Sequence, residues 1–391
     1  MSRRRKRDVT PPTGPSPLQV IAWLALVIAA IAASIVLARN AATAALLFIV
    51  ILVGLVLAHE AGHFVMAKLF GIKVLEFGVG FPPRVTGWQF GETEYTINWL
   101  PLGGFVRLLG EEDPSDPRSL AAQTAWKRFI VLFAGAGVNL VLPVLLFAIA
   151  FSLPHEESIG RAVVAEVIPD SPAEAAGLEL GDVIYSIGGR DAKNVATASR
   201  LVRINMGQET DLRIKRGDEF LTVNVTPRWA FPSNQGPTGI TIASQYPFTE
   251  RVALAPWESI PAGVRATLDT LMLARNEVVG WVKGGSGPAV AGPVGIAQTT
   301  GQVAREGGAP PLFELAALLS INLGVINLLP LPMLDGGRIF FLLIEVVRGG
   351  RRIAPEKEAI VHLVGFVLFV ALAVVVTFSD ISRLIGGNSV F

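Results

Sequence analysis

Residues 41–71 read AATAALLFIVILVGLVLAHEAGHFVMAKLFG. The first eighteen of them, Ala41–Ala58, carry no charge. At about 1.5 Å per residue they form a helix that covers most of a bilayer's hydrocarbon core. The run then continues without a break into His59-Glu60-Ala61-Gly62-His63. Residues four apart share one helix face, so both imidazoles can grip a single metal ion. Glu60 stands beside them, placed to take a proton from a water activated there and to return it to a leaving amine. Three ionisable side chains at the end of an apolar span are costly unless paired or metal-bound. The competing reading is a helix end whose polar residues face lipid headgroups.

A catalytic zinc takes three protein ligands and keeps one position open. The chain has four histidines and no cysteine, which removes thiolate ligands and disulfides from consideration. His155 follows a later span on the opposite side of the membrane, and His362 lies in an apolar run without a motif around it. Asp335 ends the apolar run Leu323–Leu334 and is followed by Gly336 and Gly337. By the orientation given below it falls on the same side as His59 and His63, and a carboxylate also balances part of the zinc charge. Its other possible role is that of a turn residue, Asp-Gly being a common turn pair.

Further out, the chain alternates apolar blocks with segments of ordinary charge. Apolar residues make up 51% of the 391 and charged residues 17%, with a net charge of +1, so nothing points to nucleic acid. Residues 1–17 are basic and Pro-rich and read as disordered. Residues 18–38 are an extra membrane helix, a cleaved signal peptide being the rival reading. The HExxH helix covers 41–71. In the region 72–127, Val85–Phe90 and Glu94–Trp99 are expected as short strands around the turn Gly91–Glu92–Thr93. A span at 128–154 contains Asn139 and Pro143. A soluble stretch occupies 158–228. The linker 229–311 places Ile260, Val264, Leu268, Leu271, Met272, Val279 and Val282 at helical spacing, as in a helix lying on the membrane or packed on the soluble domain. Further spans cover 312–345 and 359–379. Pro330 and Pro332 should break the helix before Asp335 and expose backbone near the metal. The basic start and Arg348, Arg351, Arg352 and Lys357 set the N-terminus and that loop in the cytoplasm, with 158–311 outside.

HEAGH in one span followed by NLLPLPMLDGG in a later one resembles the site-2 protease family of intramembrane zinc metalloproteases, in its bacterial, PDZ-containing form of the regulator of sigma-E protease type. The likeness covers about residues 41–380. It implies a polytopic α-helical membrane protein of about five transmembrane helices, with a membrane-associated β-hairpin and one extracytoplasmic PDZ (α+β) domain, in a bacterial inner membrane. It places Zn2+ on His59, His63 and Asp335 and makes Glu60 the base. Asn327 matches a family residue expected near the scissile carbonyl, where a buried amide can donate to a developing oxyanion; helix–helix adhesion is its other reading. Gly135-Ala136-Gly137-Val138-Asn139 resembles the family's GxxxN element, with Gly135 read as structural and Asn139 left open. The hairpin and the following LPLGGFVRL resemble a β-loop that could hold an unwound substrate by strand addition. Residues 160–228, with VIPDSPAEAAGLELGDVIYSIGGRDA, resemble a PDZ domain, whose partner is a peptide or a substrate ectodomain. The implied substrates are single-pass membrane proteins in the lipid bilayer, such as anti-sigma factors or signal-peptide remnants. Against this stands a PDZ-bearing scaffold with a structural metal, which would have no use for Glu60. A metal transporter would show internal repeats, and none is seen.

Overall fold

The HExxH stretch forms helix α1, Ala41–Leu69, 29 residues long. The structure is a computed structural model that describes residues 41–232, 235–285 and 292–385, so the expected N-terminal tail and extra helix lie outside the described residues. Helix α1 ends where the Gly71 backbone turns left-handed and the Ile72 amide reaches back to the Ala67 carbonyl. Strands β1 (Val74–Phe90) and β2 (Thr93–Leu108) follow. The expected short hairpin is therefore only the outer half of a longer one. Residues 76–79 of β1 lie opposite both 94–97 and 104–107 of β2, so the ribbon curls back and LPLGGFVRL forms a further strand segment. Two-residue alternation is interrupted there by Gly78, Gly80, Gly103 and Gly104, which hid the extra length from a reading of the pattern.

Helix α2, Ala125–Ser152, leads out of the first of two compact units, whose described residues are 41–143 and 292–385; those of the second are 144–232 and 235–285. In the second unit come β3 (His155–Ile159), β4 (Ala162–Val167), the short α3 (Pro172–Ala175) capped by Ser171, β5 (Val183–Ile187) and β6 (Arg190–Asp191). Helix α4 (Val195–Ile204), β7 (Thr210–Arg216), β8 (Glu219–Val225), β9 (Ile240–Ser244), β10 (Phe248–Val252) and α5 (Pro256–Val282) complete it. A sheet of order β8-β7-β5-β4-β9, with β6 on β5, covers a core of Val164, Ile184, Ile187, Leu201, Leu212 and Ile214; β3 pairs β10. The sheet thus runs past the expected boundary at 228. Strand β9 is only five residues long and finds its partner β4 some 75 positions earlier, a pairing that local pattern does not reveal.

Both readings of α5 have a counterpart in its surface. Its buried residues are small or polar: Ser259, Gly263, Ala266, Thr267, Asp269 and Asn276. Asp269 takes two hydrogen bonds from Arg190, and Asn276 donates to the Arg203 and Ile204 carbonyls at the end of α4. The apolar residues Trp257, Ile260, Leu268 and Met272 are left exposed.

The chain returns to the first unit with α6 (Pro293–Gly307), α7 (Ala309–Leu328), α8 (Asp335–Val347) and α9 (Pro355–Ile385). Helix α6 does not stand out in the sequence, because the face it buries is made of small residues, Gly295, Thr300, Gly301 and Ala304, and not of large apolar ones. The expected span 312–345 is two helices, separated by Leu329–Leu334. Among the described residues, four helices are long and apolar enough to cross a membrane: Ala44–Leu69, Ala125–Ser152, Ala309–Leu328 and Glu356–Arg383. They approach one another through small residues. A Cβ on Gly62 of α1 would strike the Ala134 carbonyl of α2, and one on Gly324 of α7 would press on Leu140 and the Ala136 carbonyl. Ala67, Val74, Leu108, Val131, Leu132, Ile339 and Leu342 fill the core that joins α1, the hairpin, α2 and α8.

Candidate metal centre

Helix periodicity sets His59 and His63 on the face of α1 that meets α2, and both are buried, at 6% and 9% exposure. Asp335 arrives from the other end of the sequence. Pro330 and Pro332 have no N–H to continue the ladder of α7, Met333 takes a left-handed φ of 70°, and α8 restarts at Asp335 itself. Asp335 therefore opens a helix rather than closing one, a correction to its expected place at the end of an apolar span. The two glycines that follow explain the DGG string. A side chain on Gly336 would run into the Leu328 and Leu329 carbonyls, and one on Gly337 into that of Leu331.

The three side chains converge. His59 Nε2 lies 3.0 Å and His63 Nε2 3.2 Å from Asp335 Oδ2, and the two Nε2 atoms are 3.3 Å apart. A tetrahedral ion with bonds of about 2.0–2.1 Å has ligand atoms roughly 3.3 Å apart, so this donor set fits zinc with one face left over. Gly135 of α2 forms the wall beside it, where a Cβ would overlap the Nε2 atoms of both histidines. Its glycine identity, expected to serve helix packing, also keeps the ligand nitrogens clear.

The far sides of the two rings are held as well. His63 Nδ1 lies 2.7 Å from the Val131 carbonyl, which can only accept, so Nδ1 carries the proton and Nε2 offers its lone pair to the site. The Asn139 amide, fully buried, lies 3.2 Å from His59 Nδ1. Ser320 of α7 donates to the Asn139 backbone carbonyl at 2.9 Å. Glu60, on the same turn of α1, faces the Val106 amide of β2. Gly104 permits this approach, a Cβ there being 3.3 Å from Glu60 Cγ.

The remaining sequence candidates are not all drawn in. Asn327 is half-buried in the last turn of α7, and no hydrogen bond joins it to the cluster among the described residues. His362 of α9 is not a ligand: its Nδ1 accepts the Met333 amide at 2.6 Å, two residues before Asp335. The Val131 carbonyl, the Val106 amide and this role of His362 had no signal in the sequence, since each depends on which helix faces meet.

The profile of peptidase family M50 matches residues 47–372. A protein of Clostridium perfringens is 39% identical over 84% of this chain and 95% of its own length. Zinc metalloprotease RasP of Oceanobacillus iheyensis is 33% identical, over 88% of this chain and 99% of its own. The regulator of sigma-W protease RasP of Bacillus subtilis is 29% identical, over 86% and 98%.

Proposed function

We propose a reaction for this chain from what it is, a member of peptidase family M50 and a zinc metalloendopeptidase of the site-2 type: hydrolysis of a peptide bond in or near the membrane segment of a single-pass protein. The observation that carries it is the convergence of two Nε2 atoms and one carboxylate oxygen at 3.0–3.3 Å, beside a glutamate, within a helix long and apolar enough to cross a membrane. His59, His63 and Asp335 would hold the zinc. When bound, zinc polarises the scissile carbonyl and acidifies the attacking water. Glu60 takes the proton that this water gives up and passes it to the leaving nitrogen, so that one water is added across the C–N bond. Asn327, if its amide turns to the carbonyl oxygen, adds a donor for the charge that develops there.

A peptide bond within a helix is closed to such attack, so the substrate must be unwound. The outer edge of β2 runs beside Glu60, and the outward amides on that edge are those of even-numbered residues. The Val106 amide faces Glu60 and that of Leu108 bonds Glu111, whereas the Leu109 amide turns to Lys73. A substrate strand added at Gly104 would lie extended next to the base.

The second unit suits a PDZ-like role. Its edge strand β9 is flanked by α4, and a separate cavity of about 580 Å³, between α4, residues 229–231 and the last turns of α5, is lined by Arg200, Arg203, Trp229, Phe231 and Trp281 among others. It would take a peptide, or turn away a bulky ectodomain. The Bacillus subtilis relative is named for regulating sigma-W, which favours an anti-sigma-like substrate over a signal-peptide remnant. Arg348, Arg351, Arg352 and Lys357 before α9 favour a cytoplasmic position for that loop in a bacterial plasma membrane, with the second unit outside.

The test is cleavage of a tagged single-pass substrate by the purified protein and by Glu60→Gln. The variant should keep its zinc and lose about 10²–10⁴ in rate. Equal cleavage by a zinc-loaded Glu60→Gln would refute the assignment.

A further inference from the structure

Among the described residues, helix α9 touches its neighbours along a single seam. Its outer faces are exposed apolar surface, whereas Glu358, His362, Gly365, Val376 and Asp380 recur at helical spacing with less exposure. At His362 the seam meets the break between α7 and α8. The Met333 amide points at His362 Nδ1 from 2.6 Å, and a backbone amide only donates, so the ring proton resides on Nε2. One turn along, Gly365 lies against Pro332, and a Cβ there would overlap the proline ring. The ring of His362 also packs on Phe341 of α8, with centroids 5.6 Å apart.

The break has a structural need that this contact meets. Met333 is a non-glycine residue in the left-handed region, which is sterically disfavoured. Its amide, standing between two helices, has no ladder partner, and an unpaired amide in an apolar setting costs about 1–3 kcal/mol. A bend so disposed holds its shape only if its surroundings over-determine it. Asp335 is two residues further on, and Oδ2 must stay near 3.0–3.2 Å from two ring nitrogens to act as a ligand.

We infer that His362 is a positioning residue for Asp335: by accepting the Met333 amide it fixes the bend that sets the third metal ligand in register with His59 and His63. The inference rests on the zinc assignment above. It gives α9, a helix that contributes no ligand, a direct hold on the centre.

Zinc affinity of the full-length protein in detergent, read by competition with a chromophoric chelator, tests it without any substrate. His362→Phe keeps the ring on Phe341 and removes the acceptor. His362→Asn restores an acceptor close to the place of Nδ1. Phe should weaken zinc about 10–100-fold, the usual cost of losing an outer-shell partner, and Asn should stay within about threefold of native. Hydrogen exchange of the segment 329–334 in the metal-free protein should rise for Phe and not for Asn. Gly365→Ala, which pushes on Pro332 from the same seam, should weaken zinc in the same direction and serves if the Phe variant does not fold. Native affinity in His362→Phe, or equal losses in Phe and Asn, overturns the inference while leaving the metal site intact. Native protein that binds zinc no better than Asp335→Asn overturns the zinc assignment and this inference together.

Discussion

Asn139 decides how His59 presents itself. In the orientation seen, its Nδ2 faces His59 Nδ1 and its Oδ1 is buried with no partner. Turning the amide over pairs Oδ1 with a proton on His59 Nδ1, satisfies the buried oxygen, and leaves Nε2 with its lone pair toward His63 and Asp335. The two histidines then share one arrangement, each with Nδ1–H held by an oxygen, Val131 for one and Asn139 for the other. Asn139→Leu should therefore weaken zinc about 10–100-fold, and Asn139→Asp, which still accepts, should bind within a few-fold of native. Chelator competition reads both, and a leucine variant of native affinity would reduce Asn139 to a packing residue. The sequence made the ligands legible because a helix fixes i and i+4 on one face. It left Asn139 open, because residue 139 meets residue 59 only through the crossing of α1 and α2, and that crossing depends on Gly62 and Ala134.

At the scale of elements, the curled hairpin brings strand and base together. The outward Val106 amide faces Glu60, which sets the edge of β2 against the residue that moves the proton. Val106→Pro removes that amide without taking a ladder bond from β1. Cleavage should fall at least about tenfold with zinc affinity unchanged, since the substrate edge loses the amide that faces the base. Unimpaired cleavage in a folded Val106→Pro protein would count against strand addition at this edge. The hairpin's turn at Gly91 and its flanking strands were readable from β-branched and aromatic alternation. The fold-back onto 104–108 was not, because glycines erase the period there. Likewise NLLPLPMLDGG announced a break through its two prolines, yet not that the helix resumes on the ligand itself; that follows from the room left by Gly336 and Gly337.

At the scale of the whole molecule, each unit has its own core, so the two can lose structure separately. The second unit carries an ion pair that makes its stability depend on pH. Asp182 is fully buried at the start of β5, and burial alone would push its carboxyl up. Two 2.8 Å hydrogen bonds from Arg216, another from the Glu179 amide, and the charge of Arg216 overrule that and hold it below the ordinary carboxylate range. A depressed folded pKa adds stability that is present above the unfolded value, about 3.9, and is lost as pH falls through the folded one. Arg216→Met keeps much of the stem packing and strands the carboxylate. Near neutral pH it should cost roughly 2–3 kcal/mol, less than for a fully buried pair because Arg216 is a third exposed. As the pH is lowered below about 4 the gap between native and variant should close, since a protonated Asp182 no longer needs the guanidinium. Calorimetry of the full-length protein would show this as one transition whose native–variant separation shrinks in acid while the other stays put. A separation as wide at about pH 3 as at pH 6 would mean that Arg216 acts through packing and not through the Asp182 charge.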